Sequence, residues 1–345
     1  MYGGGIAGLA RPVLPAARPV MTDLSPLPDL ARHGDAPCLV NAGGGVVTYA
    51  QLSEIAGKFV RRLGPGRKLV ALEAVASVEG VAALVGAWSA GHAVALLPAG
   101  DAAAMERFRR DFAPEAVYAR VGGRWRLALD GRGAAALHPD LALLLVTSGS
   151  TGHGKAVRLS RAAVAANAAS IGAALALRAE DRAALVLPLQ YSFGLSVLTS
   201  HLAAGASVWL AEGGILADGF LSRAGAAGVT NIQTVPMGYD LLEKAGFFGA
   251  DLPALRFLAV AGGRWPLRCS GALPPRWRRG AGPSTRCTAR PRPRRGSPVF
   301  RRGWRWSGQG ASALRFRAGR CRCGTRRGRR LRGPARASCT MPDRM

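Results

Sequence analysis

Two hydrophobic periods alternate along residues 27–263. Leu52, Ile55, Ala56, Phe59 and Val60 recur at helical spacing, behind Thr48 as a candidate N-cap and ahead of Arg61 and Arg62, whose charges suit a helix C-terminus. That face reads as packing surface. Short extended stretches around 38–40 and 46–48 precede it. Beyond it the pattern predicts a strand over 69–72, a helix over 77–90 ending at Gly91, a strand over 93–97, a helix over 102–112 and a strand over 116–118. Further on it predicts strands over 183–188, 231–235 and 254–260, another strand at the stretch containing Trp209, and helices over 217–226 and from Pro236 onwards. Apolar strands alternating with helices imply an α/β fold: parallel sheets flanked by helices on both faces.

One stretch departs from simple alternation. Residues 143–155 read LLLVTSGSTGHGK, an apolar run that stops in a loop of glycines and hydroxyls closed by a lysine. Gly149, Gly152 and Gly154 let backbone N–H groups approach a polyanion, Thr147, Ser148, Ser150 and Thr151 add hydroxyl donors, and Lys155 adds a point charge. The spacing also fits the triphosphatase pattern G-x-x-x-x-G-K. That pattern needs Ser or Thr next, to hold magnesium, and then a helix at once. Here Ala156 follows, Val157 to Leu159 read as extended, and the first helix signal is Ser160, an N-cap ahead of an alanine-rich helix over 161–177. The loop is therefore expected to join two strands.

The motif TSGSTGHGKAV resembles the phosphate loop of the adenylate-forming superfamily, which includes acyl-CoA synthetases, luciferases and peptide-synthetase adenylation domains. His153 and Gly154 depart mildly from it. TYAQL at 48–52 is similar to the family's T-Y-x-E-L, the helix, glycine, strand and proline of VAALVGAWSAGHAVALLPAG follow in the family's order, and LPLQYSFGL resembles its L-P-L-x-H-x-x-G-L. The resemblance implies the large N-terminal domain of that fold, here incomplete. It implies a nucleotide phosphate-binding set of Thr147, Ser148, Gly149, Ser150, Thr151, Gly152, Gly154 and Lys155, with Lys155 also the catalytic candidate. It further implies Gly262 and Gly263 against adenine. Tyr191 stands where relatives commonly carry histidine near the substrate carboxylate, with Phe193 two residues on. The two line a substrate pocket or are core aromatics at a helix start.

Charge divides the chain in two. Residues 1–263 carry 23 Lys and Arg against 19 Asp and Glu, while 264–345 carry 24 Arg against Asp343 alone, out of a formal net charge of +27. The later segment has no Lys, Glu, Ile, Tyr, Asn or His, and little aliphatic periodicity. It could not offset roughly 1–2 kcal/mol per residue of ordering entropy, so disorder is expected. The family's Y-G-x-T-E and R-x-G-D elements and its lid lysine are not found there. The abrupt change and the bias to residues with GC-rich codons suggest a reading-frame slip near Gly263. The rival is a genuine arginine-rich arm for RNA or DNA, with Trp304 and Trp306 as base-stacking candidates. Cys321 and Cys323 lack a standard zinc spacing, so no metal site is expected.

The expected organisation is 1–22 as a disordered leader or an early start, 23–263 as a partial AMP-binding domain, and 264–345 as an unrelated tail. The resemblance implies ATP-dependent activation of a carboxylic acid as acyl-adenylate, with ATP and Mg2+ as cofactors. CoA or a carrier-protein thiol would be the acceptor, and turnover is expected to be impaired in this form. The alternative is a polyanion-binding protein acting through its tail. Cys38, the only cysteine before residue 264, suits a reducing cytoplasm, and no stretch is long enough to span a bilayer.

Overall fold

A computed structural model of the chain describes residues 25–130, 136–147, 155–262 and 312–315. Its elements in chain order are β1 (Pro37–Val40), β2 (Val46–Thr48), α1 (Tyr49–Leu63), β3 (Leu69–Glu73), α2 (Val78–Ser89), β4 (Ala93–Leu97), α3 (Ala102–Phe112), β5 (Ala116–Val121), β6 (Arg124–Leu129), β7 (Leu141–Thr147) and β8 (Lys155–Ser160). There follow α4 (Arg161–Leu175), β9 (Arg182–Leu185), α5 (Ser192–Ala203), β10 (Ser207–Leu210), α6 (Phe220–Ala226), β11 (Asn231–Thr234), α7 (Pro236–Lys244), β12 (Phe257–Val260) and β13 (Ser312–Arg315).

The strands form two sheets. One runs β6-β5-β3-β4-β7-β8, the other β13-β12-β11-β9-β10-β1-β2. Each has a parallel centre, β5-β3-β4-β7 in the first and β12-β11-β9-β10-β1 in the second, and antiparallel edges at β6, β8, β2 and β13. The α/β expectation holds, with antiparallel edges added to it.

Local chemistry starts the helices where the sequence pattern places them. Thr48 caps α1 reciprocally: its hydroxyl accepts from Gln51 N at 3.2 Å, and Gln51 Oε1 accepts from Thr48 N at 3.0 Å. Ser77, Asp101 and Ser160 cap α2, α3 and α4 one way, each side chain accepting a backbone N–H of the first turn. The largest core cluster takes side chains from α1, α2, α4 and α5 and from strands of both sheets, including Leu39, Leu72, Leu96, Leu143, Leu185 and Val208. These helices thus form a layer shared by the two sheets. α2 is buried along almost its whole length, and Trp88 Nε1 donates to Ala142 O at 2.9 Å, tying this layer to β7. α6 and α7 cover the outer face of the second sheet, and Phe108 of α3 packs on the outer face of the first.

Several details differ from the sequence pattern, and the strands expected over 183–188 and 254–260 are shorter, at β9 and β12. β6 was not expected. α4 stops at Leu175, where Ala176 turns left-handed. The helix expected over 217–226 is only α6, preceded by a short 3-10 turn, Gly214–Leu216. The segment expected to be disordered contributes one described piece, β13, paired antiparallel with β12 from Phe257↔Arg315 to Val260↔Ser312. The leader over 1–22 and the rest of the tail lie outside the described residues. Among the described residues no helix is long and apolar enough to cross a membrane.

Candidate functional site

The glycine-hydroxyl loop closes a hairpin. Thr147 ends β7 opposite Lys155, which begins β8, and Val146 faces Ala156 in the next register. This is the strand-loop-strand geometry the sequence predicts. Ser148, Gly149, Ser150, Thr151, Gly152 and Gly154 lie outside the described residues, so the structure fixes where the loop leaves and returns. That place is the C-terminal end of the parallel strands of the first sheet, since Leu96 of β4 pairs with Leu145 of β7. Next to it the buried Glu73 carboxylate accepts Gly100 N at 2.9 Å and Arg120 N at 2.6 Å. It pins the turn after β4 to the ends of β3 and β5.

The C-terminal ends of the second sheet carry the other candidates. Gly262 follows β12 with φ +90°, a conformation that favours glycine. A Cβ there would come within 3.5 Å of Val235 Cγ1, at the end of the neighbouring β11. Gly263 lies outside the described residues. Tyr191 and Phe193, which sequence alone could not separate, have different surroundings. Tyr191 is the extended N-cap of α5 and is 62% exposed, while Phe193 is half-buried against the main core. Gly194 beside them is dictated by space, because a Cβ would lie 2.3 Å from Pro188 O.

Two features of this end escape sequence reasoning. First, α5 and α7 begin at Tyr191 and Val235 with no side-chain cap, unlike α1 to α4. Their first-turn N–H groups and positive dipole ends therefore have no side chain from their own caps. Second, Leu216 and Met237 are 76% and 72% exposed. The 3-10 turn carrying Leu216 sits across the strand ends. A Cβ on Gly214 would stand 3.5 Å from Val186 O, and one on Gly238 would stand 3.2 Å from Ile215 Cδ1. The only sequence hints are glycines 213 and 214 before Ile215 and Leu216, and a methionine directly after the N1 proline of α7.

The opposite, N-terminal ends of the same strands are polar and closed. Asp181, 1% exposed, accepts Arg178 N at 2.8 Å and the Thr230 hydroxyl at 2.9 Å, and is gripped by Arg256 through both oxygens. Thr230 Oγ1 in turn accepts Arg182 N at 2.8 Å and Asn231 Nδ2 at 3.2 Å. His201 is fully buried. Its Nδ1–H donates to Val197 O at 2.8 Å and its Nε2 accepts from Asn231 Nδ2 at 3.1 Å, which makes it the neutral Nδ1–H tautomer. Burial pushes its pKa down to about 4, against smaller opposing effects of the Val197 carbonyl and the Asp181 charge.

Among the described residues no group of three or more His, Cys, Asp or Glu side chains is placed to hold a metal ion. The magnesium ion implied by the resemblance thus finds no protein cluster among them. Gly262 is exposed and carries no side chain at this strand end.

The fold is that of an α/β protein in which the stretch rich in glycine and hydroxyls runs between two paired strands, at the C-terminal end of a parallel sheet. Residues 110–273 match the family model described as AMP-binding enzyme. The match begins in α3, contains the whole hairpin loop and runs past Gly263. The chain is also similar in structure to VinN in complex with L-aspartate, at 24% identity, covering 69% of each chain with a TM-score of 0.54. The N-terminal domain of FACL13 from Mycobacterium tuberculosis matches at 20% identity over 69% of this chain and 70% of that one, with a TM-score of 0.57. MatB from Rhodopseudomonas palustris matches at 19% identity over 70% and 60%, also at 0.57. At these identities the structural likeness is one of fold. The chain thus combines a match to the AMP-binding model over 110–273 with an α/β fold like that of these solved structures.

Proposed function

We propose that residues 23–263 form a partial adenylation domain that binds ATP and activates a carboxylic acid as acyl-adenylate, with CoA or a carrier thiol as eventual acceptor. The observation that carries the reading is the β7–β8 hairpin, with Thr147 opposite Lys155, inside the AMP-binding match. The paired strands bring the two ends of the seven-residue stretch 148–154 together, at Thr147 and Lys155. In this reading its hydroxyls and N–H groups, with Lys155, bind the outer phosphates and stabilise the leaving pyrophosphate. Tyr191 and the uncapped end of α5 orient the acid. The acid's carboxylate oxygen attacks the α-phosphorus, and the protein contributes position and charge complementarity more than covalent chemistry.

Titrating the full chain with ATP tests this. Saturable binding that Lys155→Ala weakens tenfold or more supports the loop assignment, and unchanged affinity removes it. Residues 264–345 contain no Y-G-x-T-E or R-x-G-D, so we expect little or no acid-dependent exchange of pyrophosphate into ATP. Rapid exchange would overturn the impairment. The polyanion reading rests on the charge of 264–345 and on Trp304 and Trp306 among its arginines. RNA retention on a column that is lost in a chain ending at Gly263 would restore it.

A further inference from the structure

We infer that β6 is a self-pairing edge, through which two copies of this chain join their first sheets into one continuous sheet. β6 closes that sheet on one side. All six of its residues, Arg124 to Leu129, pair with β5, and among the described residues no strand lies beyond it. It is longer than β2 and β13, the edges of the second sheet, which have three and four residues. A long edge strand offers its outer row of backbone N–H and C=O groups to another strand.

The side chains say which strand fits. Trp125, Leu127 and Leu129 alternate with Arg124, Arg126, Ala128 and, just past the strand, Asp130, so the two sets fall on opposite faces. Trp125 and Leu127 pack half-buried on the main core, whereas Leu129 is 55% exposed, and Arg124 and Arg126 are exposed on the other face. This stretch complements itself when turned end for end about Leu127. Trp125 of each copy then faces Leu129 of the other, Leu127 faces its twin, and Arg124 faces Asp130, so apolar row and charges match in a single register. Moving the centre one residue towards the hairpin turn sets Arg126 against Arg126, and one residue the other way takes the partner of Trp125 past the strand end. The contact is isologous, so each pair is made twice. Because β5 is antiparallel to β6, the parallel centres of the two copies run in opposite directions, and their β7–β8 hairpins lie at opposite margins of the joined sheet.

Sedimentation equilibrium of the nuclease-treated full chain tests this over roughly 1 to 100 µM, where small interfaces associate. The wild type is expected to pass from monomer to dimer. Arg124→Asp or Asp130→Arg alone sets like charges opposite each other twice, and should weaken the dimer by about tenfold or more. Combining Arg124→Asp with Asp130→Arg restores opposite charges and should return the affinity to within about threefold of wild type. Within one chain the two positions stand about 20 Å apart, six residues at roughly 3.3 Å each, so this rescue can arise only between copies. Circular dichroism of each variant checks its folding independently. A chain that stays monomeric throughout, a dimer indifferent to both single substitutions, or a double variant that stays as dissociated as the single ones would overturn the inference.

Discussion

The two ends of the second sheet are built from the same strands and follow opposite rules. At the N-terminal end, Asp181, Thr230, Asn231, Arg182 and His201 form a buried polar network joined by hydrogen bonds. At the C-terminal end, helices start uncapped, apolar side chains stand in solvent, and Thr234 Oγ1 is buried with no partner. Threonines 230 and 234 stand only four residues apart along one strand direction. The difference teaches that polar satisfaction here is spent on holding the sheet together, and that the end proposed above to face a ligand is the one left incomplete.

Breaking the network should have the largest effect. Asp181→Ala removes the carboxylate partner of Arg256 and leaves the Thr230 hydroxyl only the longer contact to Arg182 O, 3.3 Å, and is expected to cost about 3–5 kcal/mol, read as a lower urea midpoint. A loss under 1 kcal/mol would show that the network is ornamental. Acid should act next. His201 is neutral when folded, with a pKa of about 4, against 6.5 when exposed, so the unfolded chain takes up its proton first. Its contribution to stability is therefore full above pH 6.5 and declines as pH falls towards 4. The size is on the order of 3 kcal/mol, from about 1.4 kcal/mol per pH unit. Urea midpoints between pH 7 and 4 should show that slope in the wild type and lose most of it in His201→Gln.

A matched pair of substitutions then sharpens the comparison. Thr230→Val strands Arg182 N and takes one of the two acceptors from Asn231 Nδ2, and should cost about 1–3 kcal/mol. Thr234→Val removes a hydroxyl with no partner and should be neutral or slightly stabilising. Equal losses at the two positions, measured by thermal unfolding, would erase the distinction between the ends.

Sequence alone carried the local half of this picture. Thr48 and Ser160 announced their helices because a cap is chemistry within four residues, and the β7–β8 hairpin was readable because Ala156 and the delayed Ser160 excluded a strand running into a helix. β6 was missed because RWRLAL alternates arginine with apolar residues on an edge whose faces are half-buried or exposed. Tyr191 and Phe193 could not be separated, since their exposures are decided by which one turns towards the core shared by the two sheets. The polar network was invisible for the same reason: Asp181 and Arg256 are distant in sequence and meet only because β9, β11 and β12 lie side by side.

Strand β13 has a consequence for how the protein comes off the ribosome. It seals the edge of β12, yet Ser312 is made well after Val260, a delay of roughly three to ten seconds at about 5–20 residues per second. Throughout that interval the nascent chain shows an apolar strand, FLAV, with its hydrogen-bonding edge unfilled. The yield of native chain is thereby tied to translation speed and to the crowding of neighbouring nascent copies, quantities set outside the finished molecule.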